Sequence, residues 1–288
     1  MHLREVKSIL SAHNGMNISR GCTHGCIYCD SRSKCYRIEH DFEDVQIKSN
    51  APLLLEDALK KKRKKCMIGT GAMTDPYLPI KENLANIRAC LEIIYKYGFG
   101  LAIQTKSDLI LNDLDLLISI NKKAKCIVET TLTTYDEKLC AIIEPDVCTT
   151  KRRFEVLKIM NENGIQTIVW LSPFLPFIND TEENLRGLLD YCINAKVYGI
   201  LCWGIGLTLR EGNREYFYSK LDEHFPGLKN IYQKKYGLNY IITSDNNEQL
   251  MKMLRVACKE HNIILGNDSL FEYMHTFEEK NGAQIELF

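Results

Sequence analysis

Four cysteines lie close together near the N-terminus, in the stretch SRGCTHGCIYCDSRSKC that begins at Ser19. Cys22, Cys26 and Cys29 have the spacing CxxxCxxC, and Cys35 follows six residues later. Thiolates bind zinc and iron–sulfur clusters. All four could close a structural zinc site, whereas the first three could hold three corners of a cubane 4Fe–4S cluster and leave one iron open to a small molecule. The spacing alone leaves both interpretations open.

The bulk properties predict a globular protein that works away from membranes. Hydrophobic residues make up 45% of the 288 residues and charged residues 26%, and the formal net charge is zero. Zero net charge gives no global attraction to nucleic acid, although a local patch could still bind it. The N-terminal stretch MHLREVKSILSAHNG lacks the apolar core of a signal peptide, and no apolar run approaches the length that crosses a bilayer. We therefore expect a cytoplasmic protein whose remaining cysteines are mostly buried thiols.

Short apolar runs alternate with amphipathic stretches between about Asn17 and Gly204. This alternation predicts six strand-then-helix units, whose strands start near Met16, Cys66, Gly100, Cys126, Ile165 and Tyr198. Strands separated by helices pair in parallel through right-handed crossovers. Because six units are too few for an ordinary eight-unit barrel, we predict an α/β fold with a partial (β/α)6 TIM-type barrel. A flat doubly wound sheet is the alternative.

The part of the chain after residue 205 has a different pattern. Three amphipathic segments, at about 215–224, 228–236 and 247–261, predict helices. We therefore assign residues 1–205 to the barrel core, and residues 206–288 to a mainly helical C-terminal extension that packs on the same core without forming a separate domain. The last five residues, QIELF, are apolar enough to dock on that core.

Two charged segments allow either a structural or a binding role. The run KKKRKK, from Lys60 to Lys65, ends the first predicted helix, where cations suit the helix dipole; contact with a phosphate backbone is the alternative. Arg210, Glu211 and Arg214 follow the sixth strand. They predict either a salt-bridged helix start or a site for an anionic substrate.

Strand alternation predicts a polar inner face for the barrel. In LAIQTK it places Gln104 and Lys106 inward, and in CIVETTLTT it places Glu129 and Thr131 inward. The residues that then face the helices are Leu101, Ile103, Thr105, Cys126 and Val128. An inner face with Gln, Lys, Glu and Thr is unsuited to a packed core, and it suits a wet cavity for a charged cofactor.

The segment CTHGCIYC resembles the cluster motif of the radical S-adenosylmethionine (SAM) superfamily, where an aromatic residue, here Tyr28, precedes the third cysteine. The resemblance is closer still to the spore photoproduct lyase-like subgroup, and it covers the chain almost end to end. The matching segments are RGCTHGCIYCDSR, MTDPYLPIKE, QTKSDLILNDLDLL, LTTYDEKLCAIIEPD, SPFLPFINDTEENL and QIELF.

This resemblance implies a radical SAM enzyme. Cys22, Cys26 and Cys29 would be the ligands of a 4Fe–4S cluster whose open iron chelates SAM. The reduced cluster would cleave SAM to a 5′-deoxyadenosyl radical that abstracts hydrogen from a substrate. The substrate is unidentified, with nucleic acid as one candidate, and the implied electron donor is a protein such as flavodoxin or ferredoxin. We expect a monomer.

The resemblance also implies which residues contact SAM. Lys106, in the TK step, and Thr131, a hydroxyl on the following strand, resemble binders of the SAM carboxylate. The end of the second strand, GTGAMTD, would meet the SAM amino group through Gly69, Thr70 and Gly71, because bare backbone lets a ligand approach closely. The remaining residues that we assign to the cofactor site are Tyr28 and Glu129.

One departure from the subgroup concerns the reaction on the substrate. In spore photoproduct lyase a cysteine near the end of this strand returns a hydrogen atom, whereas this chain has Ala72 and Met73 there. Cys35 is the candidate replacement donor, and a spectator thiol is its other interpretation. The alternatives to the main hypothesis are therefore a DNA photoproduct lyase proper and a non-catalytic module stabilised by zinc or a cluster, with Cys35 as fourth ligand.

Overall fold

The structure, a computed structural model, describes residues 1–280, so the predicted docking of QIELF lies outside the described residues and stays a prediction. The strands are β1 (His2–Arg4), β2 (Gly15–Met16), β3 (Ser19–Arg20), β4 (Gln46–Lys48), β5 (Met67–Thr70), β6 (Gly100–Gln104), β7 (Cys126–Thr131), β8 (Gln166–Trp170), β9 (Gly199–Leu201), β10 (Gly206–Thr208) and β11 (Ile241–Thr243). The α-helices are α1 (Ala51–Lys61), α2 (Lys81–Tyr97), α3 (Leu114–Lys123), α4 (Glu137–Ile143), α5 (Thr150–Glu162), α6 (Glu182–Asn194), α7 (Asn213–His224), α8 (Leu228–Tyr236), α9 (Asn247–Glu260) and α10 (Asn267–His275).

Six parallel strands form the main sheet in the order β2-β5-β6-β7-β8-β9. The spatial order follows the chain order, and helices connect the successive strands. A doubly wound sheet reverses its strand order at a switch point, and this sheet does not. The sheet is therefore the predicted partial (β/α)6 barrel, and the flat alternative is wrong.

The two faces of the sheet carry different side chains. Leu101 and Ile103 of β6 pack with Val128 of β7 in a core against the outer helices. The inner residues Ala102 and Ile127 pack in a separate cluster. This alternation confirms that odd-numbered residues of β6 face the helices and that even-numbered residues face the inside of the barrel.

The helix ends follow local chemistry that the sequence shows. α2 ends at Gly98, whose φ of 64° is the left-handed conformation that glycine adopts without strain. Asp136 accepts hydrogen bonds from the first backbone amides of α4, and Thr181 does the same for α6. These caps fix where each helix begins, and therefore the length of the loop between strand and helix.

The N-terminal part differs from the prediction of one strand from Met16 to Ser19. β2 ends at Met16, and Ser19 belongs to β3, which pairs with β4 in a separate three-stranded sheet of order β1-β4-β3. The chain thus leaves the barrel before the cysteines and passes through a small sheet above it. Strands of two residues carry too little alternation to be read from sequence.

The C-terminal part contains the predicted helices and additional elements. β10 and β11 pair antiparallel, and α10 follows α9. Leu270 and Met274 of α10 pack against the inner residues of the barrel strands, so α10 covers the lower part of the concave face. The boundary between core and extension at residue 205 stays a prediction. None of the helices in residues 1–280 is long and apolar enough to cross a membrane.

Candidate functional site

A cavity of about 760 Å³ opens at the carboxyl ends of the barrel strands, and Cys22, Cys26 and Cys29 line it. We call it the main cavity. The cysteine loop reaches it through two glycines in the left-handed region, Gly21 with φ of 81° and Gly25 with φ of 67°. A side chain at either would collide with neighbouring atoms, so glycine is required by conformation and by space. The structure thus brings the three predicted metal ligands together at one wall.

Burial disfavours the thiolate form of Cys22 and Cys26. Burial raises the pKa of Cys22 to about 12, and burial also raises the pKa of Cys26 far above its ordinary range. A metal must therefore displace protons to bind these sulfurs, as is usual for thiolate sites. In residues 1–280 no group of three His, Cys, Asp or Glu side chains is placed to hold a single metal ion. Zinc needs all its sulfurs within about 2.3 Å of one centre, whereas a cubane has a separate iron for each thiolate. The three thiols line one cavity, and their role as cluster ligands stays a prediction.

Cys35 is not brought to the other three cysteines. Its side chain is exposed, and its Sγ lies 3.3 Å from Nη1 of Arg210. Within residues 1–280 the lining of the main cavity includes its neighbour Tyr36 and omits Cys35. The arrangement does not provide the fourth ligand that the zinc alternative requires.

Tyr28 ties the cysteine loop to a buried ion pair. Its hydroxyl donates to Glu144 and lies 3.2 Å from Oγ1 of Thr133. Glu144 is fully buried and pairs with the equally buried Arg153, which also donates from Nη1 to the backbone oxygen of Thr131 at 2.7 Å. The aromatic residue of the motif is therefore connected, through one carboxylate and one guanidinium, to the end of β7. Sequence reasoning missed Glu144 and Arg153, because nothing in their local pattern indicates this contact.

Lys106 and Thr131 both line the main cavity beside the cysteines. Glu144 has the strongest electrostatic effect of any carboxylate on Lys106, but it pairs with Arg153. The Lys106 ammonium makes no ion pair with any carboxylate in the described part of the chain. Burial lowers the pKa of Lys106, but Cys26 and Glu144 outweigh it and the net shift is upward. Lys106 is therefore a charged ammonium group facing a cavity.

His24 and Asp75 form a second connection that the sequence analysis did not identify. His24 Nε2 lies 3.1 Å from Asp75 Oδ2, and both side chains are buried. Asp75 also accepts from the Thr105 hydroxyl and from the backbone amide of Lys106, both at 2.7 Å. Burial opposes ionisation of Asp75, yet His24 and these hydrogen bonds lower its pKa to about 2. The position of His24 inside the CxxxCxxC motif was the available signal.

The residues predicted to meet the SAM amino group fall into two places. Gly71 lines the main cavity with φ of 101°, and a Cβ there would lie 1.9 Å from the Gln104 backbone oxygen. Gly69 and Thr70 instead line a second cavity of about 220 Å³ deeper in the barrel, which we call the lower chamber. Glu129 lines it as well. The roles of these residues in SAM binding stay predictions.

The lower chamber adjoins the main cavity. Ala72, Gln104 and Trp170 line both spaces. Trp170 donates from Nε1 to Glu129 Oε2 at 2.7 Å. Burial raises the pKa of Glu129 to about 7, although this hydrogen bond lowers it. The predicted polar inner face is thus present, and Trp170 divides it between two cavities.

The charged residues that follow β9, the sixth barrel strand, make structural contacts, which is one of the two roles predicted for them. Arg214 is buried and donates to the backbone oxygens of Leu209, Gly237, Leu238 and Asn239. Glu211 pairs with Lys34 at 2.5 Å. Arg210 lies over the ring of Tyr240 at the cavity rim. These contacts join the C-terminal part to the cysteine loop.

A comparison with protein families gives one match over more than half of the chain. A family model described as the radical SAM superfamily matches residues 16–192. Similar proteins include an uncharacterised protein of Methanocaldococcus jannaschii, 34% identical over 56% of this chain and 60% of its own length. Another, of Acidianus two-tailed virus, is 31% identical over 72% of this chain and 71% of its own length. The chain thus spans only about 60% of the first of these relatives.

Solved structures share the fold at low sequence identity. A spore photoproduct lyase variant has a TM-score of 0.64 at 13% identity, covering 90% of this chain and 77% of its own. Another lyase structure, with bound SAM and dinucleoside spore photoproduct, has a TM-score of 0.61 at 13% identity, covering 85% of this chain and 73% of its own. The radical SAM methyltransferase TsrM from Kitasatospora setae, with cobalamin and a 4Fe–4S cluster, has a TM-score of 0.52 at 15% identity, covering 68% of this chain and 34% of its own.

Proposed function

The chain belongs to the radical SAM superfamily, and on that premise we propose that Cys22, Cys26 and Cys29 hold a 4Fe–4S cluster beside a SAM site in the main cavity. The chemistry that this pair supplies when bound is reductive cleavage of SAM and hydrogen abstraction from a substrate. The observation that carries the proposal is the convergence of three free thiols and the Lys106 ammonium, which makes no ion pair within residues 1–280, on a single cavity of about 760 Å³.

The residues of the cavity have distinct tasks in this proposal. The Lys106 ammonium and the Thr131 hydroxyl bind the SAM carboxylate, because a half-buried cation that makes no ion pair within residues 1–280 can form a charged hydrogen bond to an anionic ligand. Gly71 lets the chain turn closely past Gln104 at the wall of the site. Tyr28 holds the cysteine loop against Glu144, so that the thiols stay in place when the cavity fills. Burial of the loop also limits water around the reacting groups.

The substrate enters through the wide mouth of the main cavity, and nucleic acid is the first class to test. The fold resembles that of spore photoproduct lyase, which has been observed with a dinucleoside bound. Trp203 and Tyr240 are exposed at the rim, where aromatic rings can stack on bases. The basic run from Lys60 to Lys65 precedes β5 and therefore lies at the opposite, amino end of the strands. It does not supply phosphate contacts at this mouth.

The DNA photoproduct lyase reaction itself gains no support from the cavity. Ala72 and Met73 occupy the wall where the lyase has its hydrogen-donating cysteine, and within residues 1–280 no further cysteine lines the main cavity. We therefore propose a different reaction on the substrate, with the electron supplied by a protein such as flavodoxin or ferredoxin and the enzyme acting as a monomer. Incubation with an oligonucleotide that contains a thymine dimer tests this, and repair of the dimer would contradict it.

The decisive test is anaerobic purification followed by reduction in the presence of SAM. We expect bound iron, a reduced-cluster spin signal that SAM perturbs, and formation of 5′-deoxyadenosine. The variant with Cys22→Ala, Cys26→Ala and Cys29→Ala should lose all three, because each thiolate holds one iron. Cys35→Ala is the matched control and should retain them. Iron retained in the triple variant, or lost in Cys35→Ala, would show that the ligand assignment is wrong.

A further inference from the structure

The lower chamber opens to solvent at exposed residues, whereas the SAM contacts of the proposed function, Lys106, Thr131 and Gly71, line the main cavity. Ser11, His13 and His275 lie on its outer rim and are exposed, while Met67 and Met274 line its buried interior. The opening lies between the loop that precedes β2 and the end of α10. A small molecule could therefore reach the chamber without passing through the main cavity.

One carboxyl group dominates the electrostatics of the lower chamber. Glu129 is only 6% exposed, and its one side-chain hydrogen bond comes from Trp170. The other ionisable groups of the lining are His13 and His275, and no lysine or arginine in the described residues lines the chamber. Buried carboxyl groups are normally paired or bound to several donors. Glu129 therefore has unused acceptor capacity beside an open space.

The other polar side chains of the chamber, among them Gln104 and Thr70, can both donate and accept hydrogen bonds. The Asn17 Oδ1 atom is buried without a hydrogen-bond partner, and the Thr70 hydroxyl lies in the same lining. The remaining walls are apolar, from Met67, Met274 and Phe271. A ligand that matches Glu129 and these walls has a positively charged N–H donor and a short apolar stem.

From this arrangement we propose that the lower chamber binds a small molecule with a primary ammonium group on a short aliphatic stem, with Glu129 as its counter-charge. The ammonium donates to Glu129, and the stem packs against the methionines and Phe271. Trp170 lies between this ligand and the main cavity, so binding fixes a side chain that also shapes the substrate space.

The test uses n-butylammonium as the probe, with butanol and butyrate as controls of similar size. Titration calorimetry on the anaerobically purified, cluster-containing protein should show that butylammonium binds at least about tenfold more tightly than either control, because only the cation gains the charged hydrogen bond. Because this assay contains no SAM and no reductant, a lack of butylammonium binding is distinct from a failure of the proposed function to form 5′-deoxyadenosine.

Two variants test separately whether binding needs the carboxyl group and whether it needs the open space of the chamber. Glu129→Gln keeps the shape of the side chain and its contact with Trp170. It should weaken the binding of butylammonium at least about tenfold, because the negative charge is lost. Gly69→Leu leaves Glu129 in place and should also abolish binding, because the Cβ of residue 69 would meet no atom within 4 Å and its side chain would fill the chamber. Glu248→Gln, on an exposed helix position, is the control and should bind as the wild type does.

The pH dependence gives an independent readout. Because Glu129 has a pKa near 7, the carboxylate must form before it can pair with the cation, so affinity should rise by about tenfold from pH 6 to pH 8. His13 and His275 also lose charge over this range, and the Glu129→Gln variant measures their share. The proposal is overturned if butylammonium does not bind, if butanol or butyrate binds equally well, or if Glu129→Gln binds like the wild type. The chamber would then hold solvent only.

Discussion

The ammonium group of Lys106 has the environment of a ligand-binding cation. It lies in the wall of the main cavity, its pKa is raised by Cys26 and Glu144 despite burial, and Glu144 is occupied by Arg153. A charged ammonium group at a cavity wall can form a charge-assisted hydrogen bond with a bound carboxylate, which is stronger than a neutral one. At the scale of single residues, this is the side chain on which SAM affinity should depend most.

Replacement of Lys106 tests this directly. Lys106→Met keeps the length of the side chain and removes the charge, so SAM binding should weaken by about 10- to 100-fold, the value of a charged hydrogen bond. The cluster should remain, because its thiols are untouched. Equilibrium dialysis of SAM against the unreduced protein measures the effect, and the exposed Lys151→Met provides the control. Unchanged SAM affinity in Lys106→Met would remove this residue from the site.

At the scale of elements, one buried ion pair joins three segments at the top of the barrel. Glu144 follows α4, Arg153 belongs to α5, and Tyr28 belongs to the cysteine loop. Arg153 also donates to the backbone of Thr131 at the end of β7. Through Tyr28 and the Thr131 backbone, the pair positions the loop relative to the strand ends.

Two adjacent arginines of α5 provide a matched test. Arg153→Met leaves Glu144 as an uncompensated buried charge and should lower the free energy of unfolding by about 3–5 kcal/mol. Arg152 pairs with Asp108 and Glu155 at the surface, so Arg152→Met should cost at most about 1 kcal/mol. Thermal unfolding of both variants measures the difference. Equal effects would mean that the buried pair does not anchor the loop.

At the scale of the whole molecule, the C-terminal part completes the barrel. The barrel strands leave an open concave face, and α10 covers its lower half through Leu270 and Met274. The fit against β9 is close, since a Cβ on Gly199 would lie 2.4 Å from Leu270 Cδ2. Lys125, buried in the barrel wall, pairs with Glu278 beyond this helix at 2.8 Å.

This packing predicts that α10 unfolds together with the barrel. Leu270→Ala removes a fully buried side chain and should lower the free energy of unfolding by about 2–5 kcal/mol, in one cooperative transition. Leu238→Ala, at a position that is 88% exposed, should change it by less than about 0.5 kcal/mol. Calorimetric scans of the two variants provide the comparison. A separate early transition for α10 would contradict the assignment of one common core.

Some features of this protein follow from the sequence by itself, because they depend on local spacing or period. The cysteine spacing identified the three thiols that line the main cavity, and the alternation of apolar runs and amphipathic stretches predicted the six parallel strands. Alternation along single strands placed Lys106 and Thr131 inward. The caps Gly98 and Thr181 also depend on local chemistry, although the sequence leaves Asp180 and Thr181 as alternatives for the start of α6.

Only the tertiary structure decided which inward residues share a space. Glu129 and Thr131 lie on the same face of β7, two residues apart, yet Trp170 from β8 and α10 from the far end of the chain place them in different cavities. The contacts of Tyr28 with Glu144, and of His24 with Asp75, join positions that are distant in the chain. Period and spacing report on neighbours within one element, whereas these contacts depend on how separate elements pack, and no local pattern encodes that.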